Sequence, residues 1–200
     1  MRCLLLCVCM LCGLSYGNEK NVQSGDLVFV HAADSVFDDA IVAATQKKMT
    51  NYTHVGIIEV DKHRIYVLEA HPQKGVVRSE WSDFKAENPS YDVMRLKQPQ
   101  DINTIIRRAK TFLGQPYDDY YGVNNGRMYC SELVYESYLD KQGRHIFEAK
   151  PMNFYAPDGS LPKYWQDLFA KLGESVPQGE LGTNPNDMSQ SSALVMLKKD

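Results

Sequence analysis

The sequence predicts an α+β domain, a small antiparallel sheet with helices packed on it. Two observations carry the prediction. Between residues 25 and 96, short apolar, β-branched runs follow one another across short polar links, the pattern of sequential antiparallel strands. From residue 101 onward, apolar residues recur at helical spacing instead.

Gly25-Asp26 opens the first run, Leu27-Val28-Phe29-Val30, which reads as a buried strand. Residues 34–48 read as a helix with Val36, Phe37, Ala40, Ile41 and Ala44 on one face. Residues 52–60 are a β-branched strand, and 64–70 a returning one. They are joined by Asp61-Lys62-His63, a polar link of hairpin length that lacks the usual Gly. Residues 75–78 and 91–96 complete the strands. Asp101 caps a helix that stops at Gly114. Loops over 114–119 and 123–126 lead to a helix over 130–141, and residues 162–172 form a last helix. Residues 173–192, rich in Gly, Pro, Asn, Ser and Gln, read as a long surface segment. Residues 193–197 have the pattern of a final docking strand. The expected division is therefore a domain over 18–172 and a C-terminal extension over 173–200 packed on it.

Residues 1–17 are set apart. Met1-Arg2 precedes a 12-residue apolar run from Cys3 to Leu14, and Ser15-Tyr16-Gly17 places small residues where a signal peptidase reads. This is the layout of a secretory signal peptide, and the run is too short to span a bilayer. The expected location is periplasmic or extracellular, with cell-envelope association. Lipidation at Cys9 or Cys12 is disfavoured, because Val8 and Leu11 stand where a small residue is needed. A cut after Gly17 removes four of the five cysteines and leaves Cys130 alone, so no internal disulfide forms. It also leaves 21 Lys plus Arg against 25 Asp plus Glu, a net charge of −4. No basic stripe points to nucleic acid. Residues 18–200 contain no CxxC pair, and the chain shows no repeat or HxxxH-type metal spacing.

Cys130 starts the run Cys130-Ser131-Glu132-Leu133-Val134 and shares a helical stripe with Leu133, Val134, Ser137 and Tyr138. A thiol at a helix N-terminus meets unpaired amides and the positive end of the dipole, which favour a thiolate and a developing oxyanion. The alternative is a small core residue at a helix start. A thiolate nucleophile wants a base. Among five histidines, His63 and His145 fall in polar connectors and His31 ends the first strand. His54 starts a strand beside apolar residues, with His71 as its competitor. Strand alternation puts Glu69 on the face of Ile65 and Val67, where a carboxylate is costly unless paired. The hairpin makes His54 and Glu69 cross-strand neighbours, so Glu69 can orient the imidazole. A satisfied histidine and a strand-end carboxylate reaching solvent stay open as alternatives.

Five segments taken in order, Gly25-Asp26-Leu27-Val28-Phe29, Thr53-His54-Val55-Gly56-Ile57, Val67-Leu68-Glu69-Ala70, Gly114-Gln115-Pro116-Tyr117-Asp118 and Tyr129-Cys130-Ser131-Glu132-Leu133-Val134, resemble the YiiX/YebB-like permuted papain-like cysteine hydrolases. These are relatives of the NlpC-type murein peptidases. The resemblance covers about residues 25 to 170. In it the histidine strand precedes the cysteine helix, as in the circularly permuted branch that includes lecithin:retinol acyltransferase-like enzymes. It implies a circularly permuted papain-like fold and a Cys130–His54–Glu69 triad. It also implies that Tyr117 and Tyr129 line the substrate site and that Asp26 lies nearby as a polar or structural residue. The implied activity is cleavage of an amide bond through a thioester, with no metal or cofactor. The implied substrates are a cell-wall peptide (a small peptide or murein fragment) or an N-acyl amide. A lipid-directed acyl hydrolase or acyltransferase, a non-catalytic secreted binding module and a structural protein with an inert Cys130 are the rivals.

Overall fold

The computed structural model describes residues 21–46, 50–98, 100–122 and 125–197. The expected signal peptide over 1–17 lies outside the described residues. So do Val123 and Asn124 of the second expected loop.

The first strand shows how the sheet is built. In β1 (Leu27–His31), residues Leu27 to Val30 are all buried. Leu27 and Phe29 join one apolar cluster, and Val28 and Val30 join another. A strand covered on both faces must be apolar at every position, which explains the unbroken run. β2 (Tyr52–Asp61), β3 (Arg64–His71), β4 (Gly75–Glu80), β5 (Tyr91–Leu96) and β8 (Leu194–Met196) complete a six-stranded sheet of order β4-β3-β2-β1-β5-β8. Every pair in it is antiparallel.

On one face lie α3 (Ile102–Thr111) and α4 (Cys130–Ser137). They bury Ile105, Ala109, Leu133 and Val134 against Leu27, Val55, Ile57 and Leu68. On the other lies α2 (Trp81–Glu87), whose Trp81 and Phe84 cover Val28, Ile58 and Val67. Sequence reading passed over α2; Trp81 and Phe84, three residues apart, were its only apolar signal. A third cluster joins α1 (Val36–Thr45) to α5 (Lys163–Leu172) through Ala40, Phe154, Trp165 and Phe169.

Several expectations are corrected. The β2–β3 turn is two residues long, and Lys62 takes the left-handed conformation (φ 57°) that Gly usually supplies. α4 stops at Ser137, short of residue 141. Arg108 donates to the Ser137 carbonyl at 2.7 Å, and Asp140 turns the chain by accepting the Gln142 and Arg144 amides. Residues 173–192 are not a surface segment throughout. β7 (Leu181–Gly182) pairs with β6 (Lys150–Pro151), and α6 (Pro185–Ser189) buries Pro185, Asn186 and Met188. Polar residues hid this packing, because Asn186 is fully buried through its hydrogen bonds rather than its hydropathy.

Asp26 is fully buried and its carboxylate receives Arg95 at 2.7 and 2.8 Å, along with the Gln23 amide at 2.8 Å. At the start of α4, the buried Glu132 carboxyl accepts the Tyr129 amide at 3.3 Å. Burial pushes the Glu132 carboxyl up to about 8.

Arg95→Met leaves the Asp26 charge buried without its partner and is expected to cost about 3–5 kcal/mol in urea unfolding. Adding Asp26→Asn should recover most of that loss; a double variant as unstable as the single one contradicts the pairing. Glu132 has a folded pKa above its ordinary value of 4.5. Its contribution is therefore present below that value and lost as pH rises through about 8. Between about pH 5 and about pH 9 the parent's Tm should fall several degrees further than that of Glu132→Gln. Equal falls would clear Glu132 as the cause.

Candidate active site

Cys130 is the first residue of α4, and Tyr129 precedes it in extended conformation (ψ 167°). The thiol is 6% exposed and opens on a cleft, at the end of the helix where backbone amides lack intrahelical acceptors. Leu133 and Val134 anchor the next turn in the core. The helix start is thus held from behind while its first residue faces open space.

His54 enters from β2. The β1–β2 ladder runs in register from Leu27↔Ile57 to Val30↔His54. It then shifts, with His31 opposite Tyr52 and Thr53 left as the extra residue. Such a bulge twists a strand locally and re-aims its side chains. His54 Nε2 lies 2.7 Å from Glu69 Oε2, and Ser79 Oγ donates to Glu69 Oε1 at 2.5 Å. With Nε2 committed to a carboxylate, Nδ1 is the nitrogen left for the thiol. Burial disfavours the imidazolium, but hydrogen bonds and charge from Cys130 and Glu69 outweigh it and push His54 up to about 10. Burial likewise raises the Glu69 carboxyl, and His54 and Ser79 together hold it below its usual range.

The competing histidine lines the same arm as His54 but is engaged by other partners. His71 Nδ1 accepts the Gln73 amide at 3.1 Å, and its Nε2 is 3.5 Å from Glu87. Burial pushes His71 down. His31 is bound on both nitrogens, by Asn51 at 2.8 Å and Asp92 at 2.9 Å.

Two arms of space meet at Thr53 and Tyr117, which line both. The arm holding Cys130 spans about 530 Å³ with its open mouth and is walled by Ile41, Ala44, Met152, Phe154, Trp165 and Pro185. The arm holding His54 spans about 730 Å³ with its open mouth and is the more polar of the two, with His31, Asp38, His71 and Glu87. Tyr129 lines the apolar arm, and its hydroxyl accepts the Thr183 amide at 3.1 Å. Burial pushes both Tyr117 and Tyr129 upward, keeping their hydroxyls protonated. Asp26 reaches neither arm. Its carboxylate is spent on Arg95 and the Gln23 amide, so the structure corrects its placement at the substrate site.

Sequence reasoning missed Tyr121. It sits in left-handed conformation (φ 54°) and packs on Tyr129 and Trp165 with ring centroids 5.3 and 5.5 Å away. The usable signal was Asp118. This fully buried carboxylate accepts the Tyr120 and Gly122 amides at 3.0 and 2.9 Å and bends the chain around Tyr121.

The uncharacterised protein YiiX of Escherichia coli strain K12 is 28% identical over 182 residues, covering 89% of this chain and 87% of its own. A crystal structure of yiiX from Escherichia coli O157:H7, described as a metalloprotein, superimposes with a TM-score of 0.73. Its identity is 25%, over 89% of this chain and 97% of that one. The family model of the permuted papain-like amidases, YaeF/YiiX, C92 family, matches residues 21–198, and the chain belongs to that family.

Proposed function

We propose that this amidase cleaves N-acyl amides whose acyl group is apolar, with Cys130 as nucleophile, His54 as proton carrier and Glu69 as its orienting carboxylate. The observation that carries the reading is the apolar arm opening directly at Cys130, while the polar arm lies on the His54 side. An acyl chain in the first arm and an amine in the second place the scissile carbonyl between thiol and imidazole.

His54 takes the proton of Cys130, which sets a thiolate beside an imidazolium supported by Glu69. The thiolate adds to the carbonyl carbon, and the first-turn amides of α4 take the oxyanion. The C–N bond breaks as imidazolium gives its proton to the leaving amine, which leaves a thioester on Cys130. Neutral His54 then takes a proton from water. The hydroxide adds to the thioester, and collapse releases the carboxylic acid and restores the ion pair.

The metal in the description of the relative's crystal structure is not carried over. Among the described residues no group of three or more His, Cys, Asp or Glu side chains could hold a metal ion, and no step above runs through one. We place the enzyme in the cell envelope on the layout of residues 1–17. The polar arm keeps a murein-peptide substrate as the second reading.

The test offers N-acyl amino acids with acyl chains of increasing length beside murein peptides, with product release followed by mass spectrometry. We expect kcat/KM for the acyl series to rise about fourfold per methylene until the arm is filled. His54→Ala should lose roughly 10³-fold or more, and Glu69→Gln about 10- to 100-fold. Release from murein peptides alone would sink the acyl reading.

A further inference from the structure

Two short stretches decide where Cys130 and His54 stand, namely the first turn of α4 and the start of β2. Neither is held by its own element alone. Tyr52 lies two residues before His54, just beyond the register shift with β1. Its N–H donates to Asn186 Oδ1 at 2.8 Å, and Asn186 Nδ2 donates back to the Tyr52 carbonyl at 3.0 Å. The same Nδ2 reaches Thr45 Oγ1 at 3.0 Å. One fully buried amide side chain thus supplies Tyr52 with the donor and acceptor that a neighbouring strand would offer.

Three residues earlier the same segment grips the other element. The Thr183 amide donates to the Tyr129 hydroxyl at 3.1 Å, and Thr183 Oγ1 lies 3.0 Å from Ser131 Oγ. Tyr129 and Ser131 flank Cys130. Gly182 is packed so closely that a Cβ there would stand 2.5 Å from Met152 Sδ and 2.9 Å from the Tyr129 hydroxyl. Thr183, Asn184 and Pro185 also wall the apolar arm. No step of the proposed mechanism uses any of these contacts, yet they tie the nucleophile's helix to the histidine's strand.

We propose that Thr183 and Asn186 are positioning residues. Segment 182–186 clamps the start of α4 to the start of β2 and thereby sets the Cys130–His54 pair. The inference rests on reading that pair as nucleophile and proton carrier. Its physical basis is that a misplacement of about 1 Å between reacting groups can cost roughly 100-fold in rate.

The experiment is iodoacetamide alkylation of the full chain at about pH 6 and about pH 9, with the Cys130 peptide followed by mass spectrometry because four other cysteines lie in residues 1–17. In an ion pair the two rates differ little. A thiol with the free value of about 8.5 reacts roughly 200-fold faster at the higher pH. Asn186→Ala should move the ratio of the two rates at least tenfold toward the free-thiol value. Thr183→Val, which removes the Thr183 hydroxyl and its Ser131 contact but keeps the backbone bond to Tyr129, should move it the same way by a smaller factor. Arg95→Met loosens the fold away from the cleft and should keep the parent ratio, which separates positioning from general instability. Should Asn186→Ala fail to fold, Thr183→Val alone decides. Ratios within about twofold of the parent in the folded variants overturn the clamp while leaving the pair intact. A parent whose ratio is that of a free thiol, and is unmoved by His54→Ala, instead overturns the pair and the clamp with it.

Discussion

Glu69 is a carboxylate with 2% of its surface exposed, on a strand face shared with Val67, and much of the site follows from keeping it partnered. A buried anion without hydrogen bonds is costly enough to unfold a domain of this size. Both Glu69 oxygens are therefore spoken for, one by His54 and one by Ser79. This fixes the register of three strands at once. β4 offers Ser79 only while Val77 stands opposite Glu69, and β2 offers His54 only while Ile57 stands opposite Leu68. A slip of one residue would turn either partner to the other face. Gly56 belongs to the same constraint, because a Cβ there would lie 2.4 Å from Val67 Cγ1. The Gly of the His-Val-Gly segment is thus a matter of close strand approach.

The two-sided covering of the sheet explains why a charged pair can exist there. α2 seals one face with Trp81 and Phe84, and the Phe84 ring centroid lies 6.3 Å from that of His54. α3 and α4 seal the other. Where these coverings end, around Thr53 and Tyr117, the apolar and polar arms meet. The imidazole is therefore dry on the protein side and open toward the cleft. In that setting the interactions with Cys130 and Glu69 outweigh the cost of burying the imidazolium.

Elements whose information is local were legible in the sequence. β1 to β3, α3, α5 and the start of α4 follow from periodicity and capping, and Cys130, His54 and Glu69 from placing reactive side chains on those elements. What periodicity could not show is long-range. The bulge at Thr53 depends on how β1 and β2 pair, and nothing in Tyr52-Thr53-His54 marks it. Asp26 reads equally well as a site residue or an anchor until Arg95 is found on its carboxylate. Trp165 and Phe154 were readable as apolar residues, but that they wall the cleft at Cys130 depends on α5 packing against α1.

The C-terminal segment sharpens the point. Hydropathy treats Asn184, Asn186 and Thr183 as solvent-seeking, so residues 173–192 look like surface. Burial of a polar side chain is permitted whenever its donors and acceptors are met, and Asn186 meets its own on the backbone of Tyr52 and on Thr45. In a chain where the histidine strand comes early and the cysteine helix late, no local element can set their separation. A hydrophobic contact between the two would hold them together but tolerate sliding, because it is non-directional. Hydrogen bonds fix distance and direction. That difference is a physical reason for a polar segment, rather than an apolar one, to lie between the elements that carry Cys130 and His54.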